Sequence, residues 1–183
     1  MKILLSSAAT TTTGGLISRA SRKINHLRAT SRMIETILVF VLALPLLAHA
    51  INSLNTRPMA DDYQFAVIAR EHGVIGSMEY WYQNWSGVVI SSGLQSLVSL
   101  GGPTATAWLP LLTLLLWLGL LVVGAYRLLR RLGFQRPGVI ASIIGCGIVG
   151  ATLTGIPNVY QSLYWTSGNA TYTSGLVALT AQA

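Results

Sequence analysis

Two adjacent aspartates, Asp61 and Asp62, are the residues of this sequence with the most informative chemistry. They follow closely on a long apolar run. Because neighbouring like charges repel each other, a contribution to stability alone does not readily explain why two aspartates are adjacent here. A carboxylate in this place can act as a general base or help to bind a divalent metal such as Mg²⁺ or Mn²⁺. The pair can equally begin a helix, with one side chain capping its N-terminus and the other adding a favourable charge.

Two stretches of the chain combine aromatic residues with amides and hydroxyls. They are YWYQNWSG at residues 80–87 and YQSLYWTSGNATY at residues 160–172. Tryptophan and tyrosine collect at membrane interfaces by default. Aromatic faces also stack on the apolar C–H faces of sugar rings, whose hydroxyls need amide partners. The candidates for sugar contact are Trp81, Trp85, Tyr164, Trp165 and Asn169.

The composition excludes several classes of protein. The chain has 183 residues, of which 52% are hydrophobic and 9% charged, and its mean hydropathy is +0.57. A soluble domain usually carries about 25% charged residues. An ordinary soluble enzyme, a disordered chain and a disulfide-stapled secreted domain are therefore excluded.

The net charge of +7 would suggest nucleic acid if the basic residues were spread along the chain. Instead, six of them precede the first apolar run, and Arg127, Arg130, Arg131 and Arg136 form one cluster. Residues 137–183 carry no charge. This sorting is typical of a membrane protein, so a lipid bilayer is the expected partner and nucleic acid is not.

The hydropathy pattern predicts an all-α, polytopic integral membrane bundle with three spans and the beginning of a fourth. About 20 apolar residues are needed for each span. The predicted spans are 34–54, 105–126 and 138–156, and residues 174–183 begin the fourth. The other predicted segments are a basic tail with an amphipathic helix at 1–33, an outer loop with interfacial helices at 55–104, a basic turn at 127–137 and a second outer loop at 157–173.

Basic segments remain in the cytoplasm, so the N-terminus and the basic turn are expected inside. The aspartates and both aromatic stretches are then expected together on the outer face, where two polar loops could form one site. Within the third span, residues 145–150 match G-x-G-x-x-G, but no strand precedes them and no acidic residue follows. Small residues there favour close helix packing and a helical partner.

These features resemble those of the GT-C glycosyltransferases, which are polytopic enzymes that use polyprenyl-phosphate sugars. In that family an Asp followed by Glu or Asp begins the first outer loop, where this chain has DDYQFA at residues 61–66. A helix and the WSG turn at 85–87 follow, and YWTSGN at 164–169 is similar to the second outer loop of bacterial relatives. The resemblance covers most of residues 33–183, and the chain is expected to be the N-terminal portion of such an enzyme.

The resemblance implies an inverting hexosyl- or pentosyltransferase in the bacterial inner membrane. It would move a sugar from a polyprenyl-phosphate donor to an acceptor hydroxyl on the outer face, with Asp61 or Asp62 as general base. Arg57 and Arg70, the basic residues of the first outer loop, would meet the lipid phosphate. A divalent metal held by the two aspartates is a further expectation.

Two other functions remain open from the sequence. The chain could be a non-enzymatic membrane subunit whose third span binds partner helices and whose aromatic residues only anchor it. It could also be a fragment of a transporter in which His49 and one aspartate carry protons.

Overall fold

The computed structural model of the chain describes residues 7–85 and 87–182, with side chains from residue 29 onwards. It consists of two units, Met1–Leu38 and Val39–Ala183. The predicted amphipathic helix of the basic tail belongs to the first unit. Its backbone is helical from Ser7, and its side chains up to residue 28 lie outside the described residues.

The described ranges are helical and contain no strand, so the all-α prediction is confirmed. The long helices are α1 (Ser7–Ser53), α2 (Asp61–Asn84), α3 (Val89–Leu100), α4 (Gly102–Arg131) and α5 (Pro137–Gly155). Two π-helical turns (Tyr160–Tyr164 and Asn169–Thr173), the single turn α6 (Thr166–Gly168) and α7 (Ser174–Ala181) follow.

Three helical stretches are long and apolar enough to span a membrane: Ala29–Ser53, Gly102–Arg131 and Pro137–Gly155. At 1.5 Å per residue they measure about 37, 45 and 28 Å, against a hydrocarbon core of about 30 Å. They coincide with the three predicted spans. The predicted fourth span begins where α7 lies, and the described part of α7 is only eight residues long.

Two segments that we predicted to be irregular are helical in the structure. The prediction of a basic turn at 127–137 was too long, because α4 continues through three arginines to Arg131. Leucine and arginine both favour helix, and the connection shrinks to residues 132–136. The predicted second outer loop is a series of short helical turns. We call residues 54–101 the first connecting segment and residues 156–173 the second connecting segment.

Helix α2 reverses its direction at Gly73. The φ of 68° there is a left-handed conformation that glycine adopts without strain. Along a straight helix, the 16 residues between Phe65 and Trp81 would span about 24 Å. Their rings instead stack with centroids 4.3 Å apart, so the two halves of α2 fold back on each other.

The hydrophobic core lies where α4, α5 and the second connecting segment meet. Trp117 of α4 is 2% exposed, and its indole N–H donates to the Thr180 hydroxyl of α7 at 3.2 Å. The other buried members of the core are Leu46, Leu114, Cys146, Val149, Leu153, Leu163, Tyr164 and Val177. Helix α1 joins this core close to its end, where the Tyr164 hydroxyl lies 2.6 Å from Nδ1 of His49.

Elsewhere the helices that are long and apolar enough to span a membrane expose large apolar side chains. Phe40, Leu44 and Leu47 of α1, and Leu115 and Leu116 of α4, are each more than half exposed. A water-facing surface of this kind would be costly, whereas the hydrocarbon of a bilayer covers it without cost. The exposed belt therefore agrees with the membrane character predicted from the sequence.

The small residues of the third span pack against α4 within this chain. Ala141, Cys146 and Val149 are buried, and a Cβ added at Gly145 would lie 2.6 Å from Cγ2 of Val122. Part of the face that we predicted to receive a partner helix is thus covered by α4, whereas a Cβ at Gly150 would meet no atom within 4 Å and Thr154 is exposed. Binding of a partner helix stays a prediction.

We expect Gly145→Val to push α4 and α5 apart, because the new side chain would overlap Val122. Overpacking of this kind costs about 1–3 kcal/mol. The measurement is thermal unfolding of the detergent-solubilised protein. Gly147→Val is the matched control, because a Cβ at Gly147 meets no atom within 4 Å. Equal melting temperatures for the two variants would contradict this packing.

Candidate functional site

The two connecting segments meet at Asp62. Its side chain is 3% exposed, and Oδ1 accepts hydrogen bonds from the Ser167 backbone N–H at 3.3 Å and the Ser167 hydroxyl at 3.1 Å. The Met59 N–H donates to Oδ2 at 2.9 Å. A contact over 105 positions of sequence thus joins the beginning of α2 to the second connecting segment. Both aromatic stretches are brought together as the sequence predicted.

A cavity of about 260 Å³ lies beside this contact. Residues from α2, α3 and the second connecting segment line it, and they include aromatic rings, hydroxyls, one amide and one carboxylate. The lining residues are Asp61, Phe65, Trp81, Trp85, Val88, Ser91, Ser92, Gln95, Trp165, Ser167, Gly168, Thr171 and Tyr172.

Asp61 and Asp62 have different roles in this structure. Asp61 is half-buried and lines the cavity, and its carboxylate makes no hydrogen bond or ion pair with the described residues. Both oxygens of Asp62 are occupied by protein donors. Asp61 is therefore the carboxylate that is available to a ligand.

The aromatic wall of the cavity is built around Trp81. Its ring stacks on Phe65 and meets Trp85 edge to face, with centroids 5.6 Å apart. Aromatic pairs in these geometries attract each other, so the wall is held in shape by its own contacts. The reversal of α2 at Gly73 is what brings Phe65 to Trp81.

Two indole N–H groups of the cavity residues have no partner. The Nε1 atoms of Trp81 and Trp165 are buried and make no hydrogen bond within the described part of the chain. A buried donor left unsatisfied costs about 1–3 kcal/mol.

The Ser167 hydroxyl links Asp62 to α3. It lies 3.1 Å from Oδ1 of Asp62 and 2.9 Å from Oε1 of Gln95, although a hydroxyl donates only one hydrogen bond. Both contacts are satisfied if Asp62 is protonated, or if the Gln95 amide is turned so that its NH₂ group donates. Burial raises the pKa of Asp62 above its ordinary value, and the hydrogen bonds from Met59 and Ser167 partly oppose this.

Five of the residues predicted for the site do not line the cavity, and Asp62, which lies beside it, is one of them. Arg57 and Arg70 are exposed, and Arg57 donates to the Thr56 carbonyl oxygen at 2.9 Å. The Tyr164 side chain is directed to His49. Asn169 is fully buried, where it accepts from the Thr113 hydroxyl and donates to the Leu163 carbonyl oxygen. Trp81, Trp85 and Trp165 do line the cavity.

The residues present do not form a two-carboxylate metal clamp. Asp62 is engaged by protein donors, and no group of three or more His, Cys, Asp or Glu side chains comes together in the described ranges. The involvement of Mg²⁺ or Mn²⁺ remains a prediction from the sequence.

The sequence analysis missed the polar face of α3. Ser91, Ser92 and Gln95 interrupt an apolar run at positions i, i+1 and i+4, which lie on one side of a helix. All three are buried and line the cavity. The sequence signal that could have identified these residues is the presence of polar side chains on one face of an otherwise apolar helix.

Comparisons with protein-family models, with curated proteins and with solved structures found no match for this chain.

We expect Asp62→Asn to destabilise the protein by about 1–3 kcal/mol, because the amide NH₂ cannot accept the Met59 hydrogen bond. The raised pKa means that folded Asp62 holds its proton more tightly than the unfolded chain does. Its contribution to stability is therefore fully present below the unfolded pKa of about 3.9 and declines as the pH rises through the folded pKa. The asparagine does not titrate.

The difference in melting temperature between the unaltered protein and Asp62→Asn should accordingly be larger at pH 4 than at pH 8. Thermal unfolding in detergent at the two pH values measures it. A difference that grows with pH would mean that the pKa of Asp62 is lowered rather than raised.

Proposed function

We propose that the chain belongs to a membrane glycosyltransferase of GT-C type and that its cavity binds a sugar. The donor would be a polyprenyl-phosphate sugar, and the acceptor a hydroxyl on the outer face of the bacterial inner membrane. The N-terminus would lie in the cytoplasm. The cavity would then lie at the outer face of the membrane, on the same side as the sugar of the donor.

One observation carries the proposal: a free carboxylate, stacked aromatic rings and several hydroxyl groups share a single cavity. Sugar rings present apolar C–H faces to aromatic side chains, and their hydroxyls form hydrogen bonds with polar side chains. The hydroxyls of Ser91, Ser92 and Thr171 supply further hydrogen-bonding groups in the lining. The volume of about 260 Å³ lies just below the range of about 300–1,000 Å³ for small-ligand sites, so the cavity would hold a single sugar ring and not a larger group.

Asp61 is the proposed general base. Its carboxylate would take the proton from the acceptor hydroxyl while that oxygen forms a bond to the anomeric carbon. The bond from the anomeric carbon to the phosphate oxygen breaks at the same time, and polyprenyl phosphate leaves with the electron pair. A general base contributes about 10²–10⁴-fold to such a rate.

Asp61 is the one charged residue among the described residues of the lining. A negative charge repels phosphate, so the cavity is better suited to the neutral sugar of the donor than to its phosphate. A leaving phosphate requires cationic or metal stabilisation. Arg57 and Arg70 remain the candidates in the first connecting segment, and both are exposed to a ligand that approaches from outside the cavity.

The two alternatives explain less of the cavity. A purely structural subunit accounts for the packing of the third span and for the charge of Asp61, which favours the first turn of α2. It gives no reason for the aromatic rings and hydroxyls that surround Asp61 in the cavity. In a proton-coupled transporter His49 and an aspartate would share a path. His49 contacts Tyr164, whereas Asp61 lies in the cavity that Tyr164 does not line.

We expect Asp61→Asn to lower sugar transfer by about 10²–10⁴-fold, because the amide cannot accept the proton. The assay uses the protein in vesicles with radiolabelled undecaprenyl-phosphate glucose, mannose, galactose and arabinose, and it measures label that leaves the donor lipid. Glu71→Gln is the matched control, since Glu71 is an exposed carboxylate of the same helix outside the cavity.

Transfer by Asp61→Asn at the unaltered rate would refute the role of Asp61 as base. If the unaltered protein transfers none of the four sugars in full-length form, the transferase proposal fails.

Trp81→Phe replaces the indole by a smaller ring that can still pack against Phe65. We expect sugar binding to weaken by about 3- to 10-fold, because the aromatic surface that contacts the sugar becomes smaller. Isothermal titration with the methyl glycosides of the same four sugars measures the affinity. The control is Trp108→Phe, because Trp108 lies on α4 and does not line the cavity. Equal affinities for both variants would show that the Trp81 ring does not contact the sugar.

A further inference from the structure

A second concave surface lies at the end of α4, where the chain turns towards α5. It is an open depression of about 490 Å³ lined by Tyr126, Arg127, Arg130 and Arg131. The cavity of the proposed transferase lies beyond the other end of this helix, next to α3. The 30 residues of α4 separate the two ends by about 45 Å, so the two sites are distinct.

The spacing of these residues gathers them on one face. Arg127, Arg130 and Arg131 stand at positions i, i+3 and i+4, and Tyr126 is four residues before Arg130. Residues with these spacings are neighbours on a helix surface. Three guanidinium groups and one phenol therefore face the same volume.

No carboxylate of the described chain neutralises this cluster. All three arginines are exposed and none forms an ion pair within the part of the chain that the structure describes. The last acidic residue of the sequence is Glu79, far before the cluster. Guanidinium groups bind phosphate with paired hydrogen bonds, so the charge of the depression suits a phosphate anion.

The surroundings of the cluster identify the source of that anion. Leu128, Leu132 and Phe134 lie among or just after the arginines, and they are 59%, 64% and 48% exposed. Exposed apolar side chains beside guanidinium groups match the boundary between the hydrocarbon and the headgroups of a bilayer. A free phosphate in water would gain nothing from these apolar neighbours.

We propose that Tyr126, Arg127, Arg130 and Arg131 bind the phosphate headgroup of an anionic phospholipid, with the acyl chains against the exposed leucines. The site is independent of the proposed transfer reaction. A simpler role for the arginines is to favour the C-terminal end of α4 through the helix dipole. That role predicts no lipid selectivity.

The test measures the melting temperature of the full chain in dodecylmaltoside at rising lipid concentration. The additives are dioleoyl-phosphatidylglycerol, dioleoyl-phosphatidylcholine and inorganic phosphate. A ligand that binds only the folded state raises the melting temperature by an amount that grows with the logarithm of its concentration divided by its Kd. We expect phosphatidylglycerol to stabilise the protein and the other two to have little effect.

The variant Arg127→Gln/Arg131→Gln should bind phosphatidylglycerol about 30-fold more weakly, which corresponds to about 1 kcal/mol for each basic residue near an anionic surface. Arg32→Gln is the control for the loss of basic charge, because Arg32 is exposed and lies outside the depression. It should bind as the unaltered protein does.

Three results would overturn the proposal. Equal stabilisation by phosphatidylcholine would mean that the headgroup charge is not recognised. Equal stabilisation by inorganic phosphate would mean that a free anion, not a lipid, is bound. Unchanged affinity in the Arg127→Gln/Arg131→Gln variant would place the lipid elsewhere. If that variant does not insert, the comparison of the three additives on the unaltered protein still decides.

Discussion

The contact between Asp62 and Ser167 is the interaction on which the candidate site depends. It joins the beginning of α2 to a segment more than a hundred residues later, and it is buried. Desolvation makes a buried carboxylate costly unless donors surround it. The three donor groups around Asp62 offset that cost, and because they come from both connecting segments, they also hold the cavity wall in place.

Much of this architecture follows from the hydropathy of the sequence. A bilayer requires spanning segments of a narrow length range with their backbone groups satisfied internally, so apolar runs alone predicted the three spanning helices. Because successive spans cross in opposite directions, the same constraint predicts that the first and second connecting segments lie at one end of the bundle. Asp61, Trp81 and Trp165 could therefore be expected near one another before any contact was known.

Hydropathy could not predict which of the candidate side chains line the cavity and which are buried elsewhere. Neighbouring helical residues point about 100° apart, and whether Asp61 or Asp62 turns inward depends on α3 and the second connecting segment. Tyr164 and Asn169 differ from Trp165 for the same reason, because the π-helical turns set their directions. The reversal at Gly73 is another tertiary feature, and without it Phe65 would lie far from Trp81. Local patterns carry no information about such long-range packing.

The hydrogen bond between His49 and Tyr164 has a mechanical consequence. Most of the apolar surface of α1 is exposed to its surroundings, and this contact connects the helix to the segment that carries Trp165. A spanning helix changes its tilt when the thickness of the bilayer changes. Movement of this end of α1 would therefore be transmitted through Tyr164 to its neighbour Trp165, which lines the cavity.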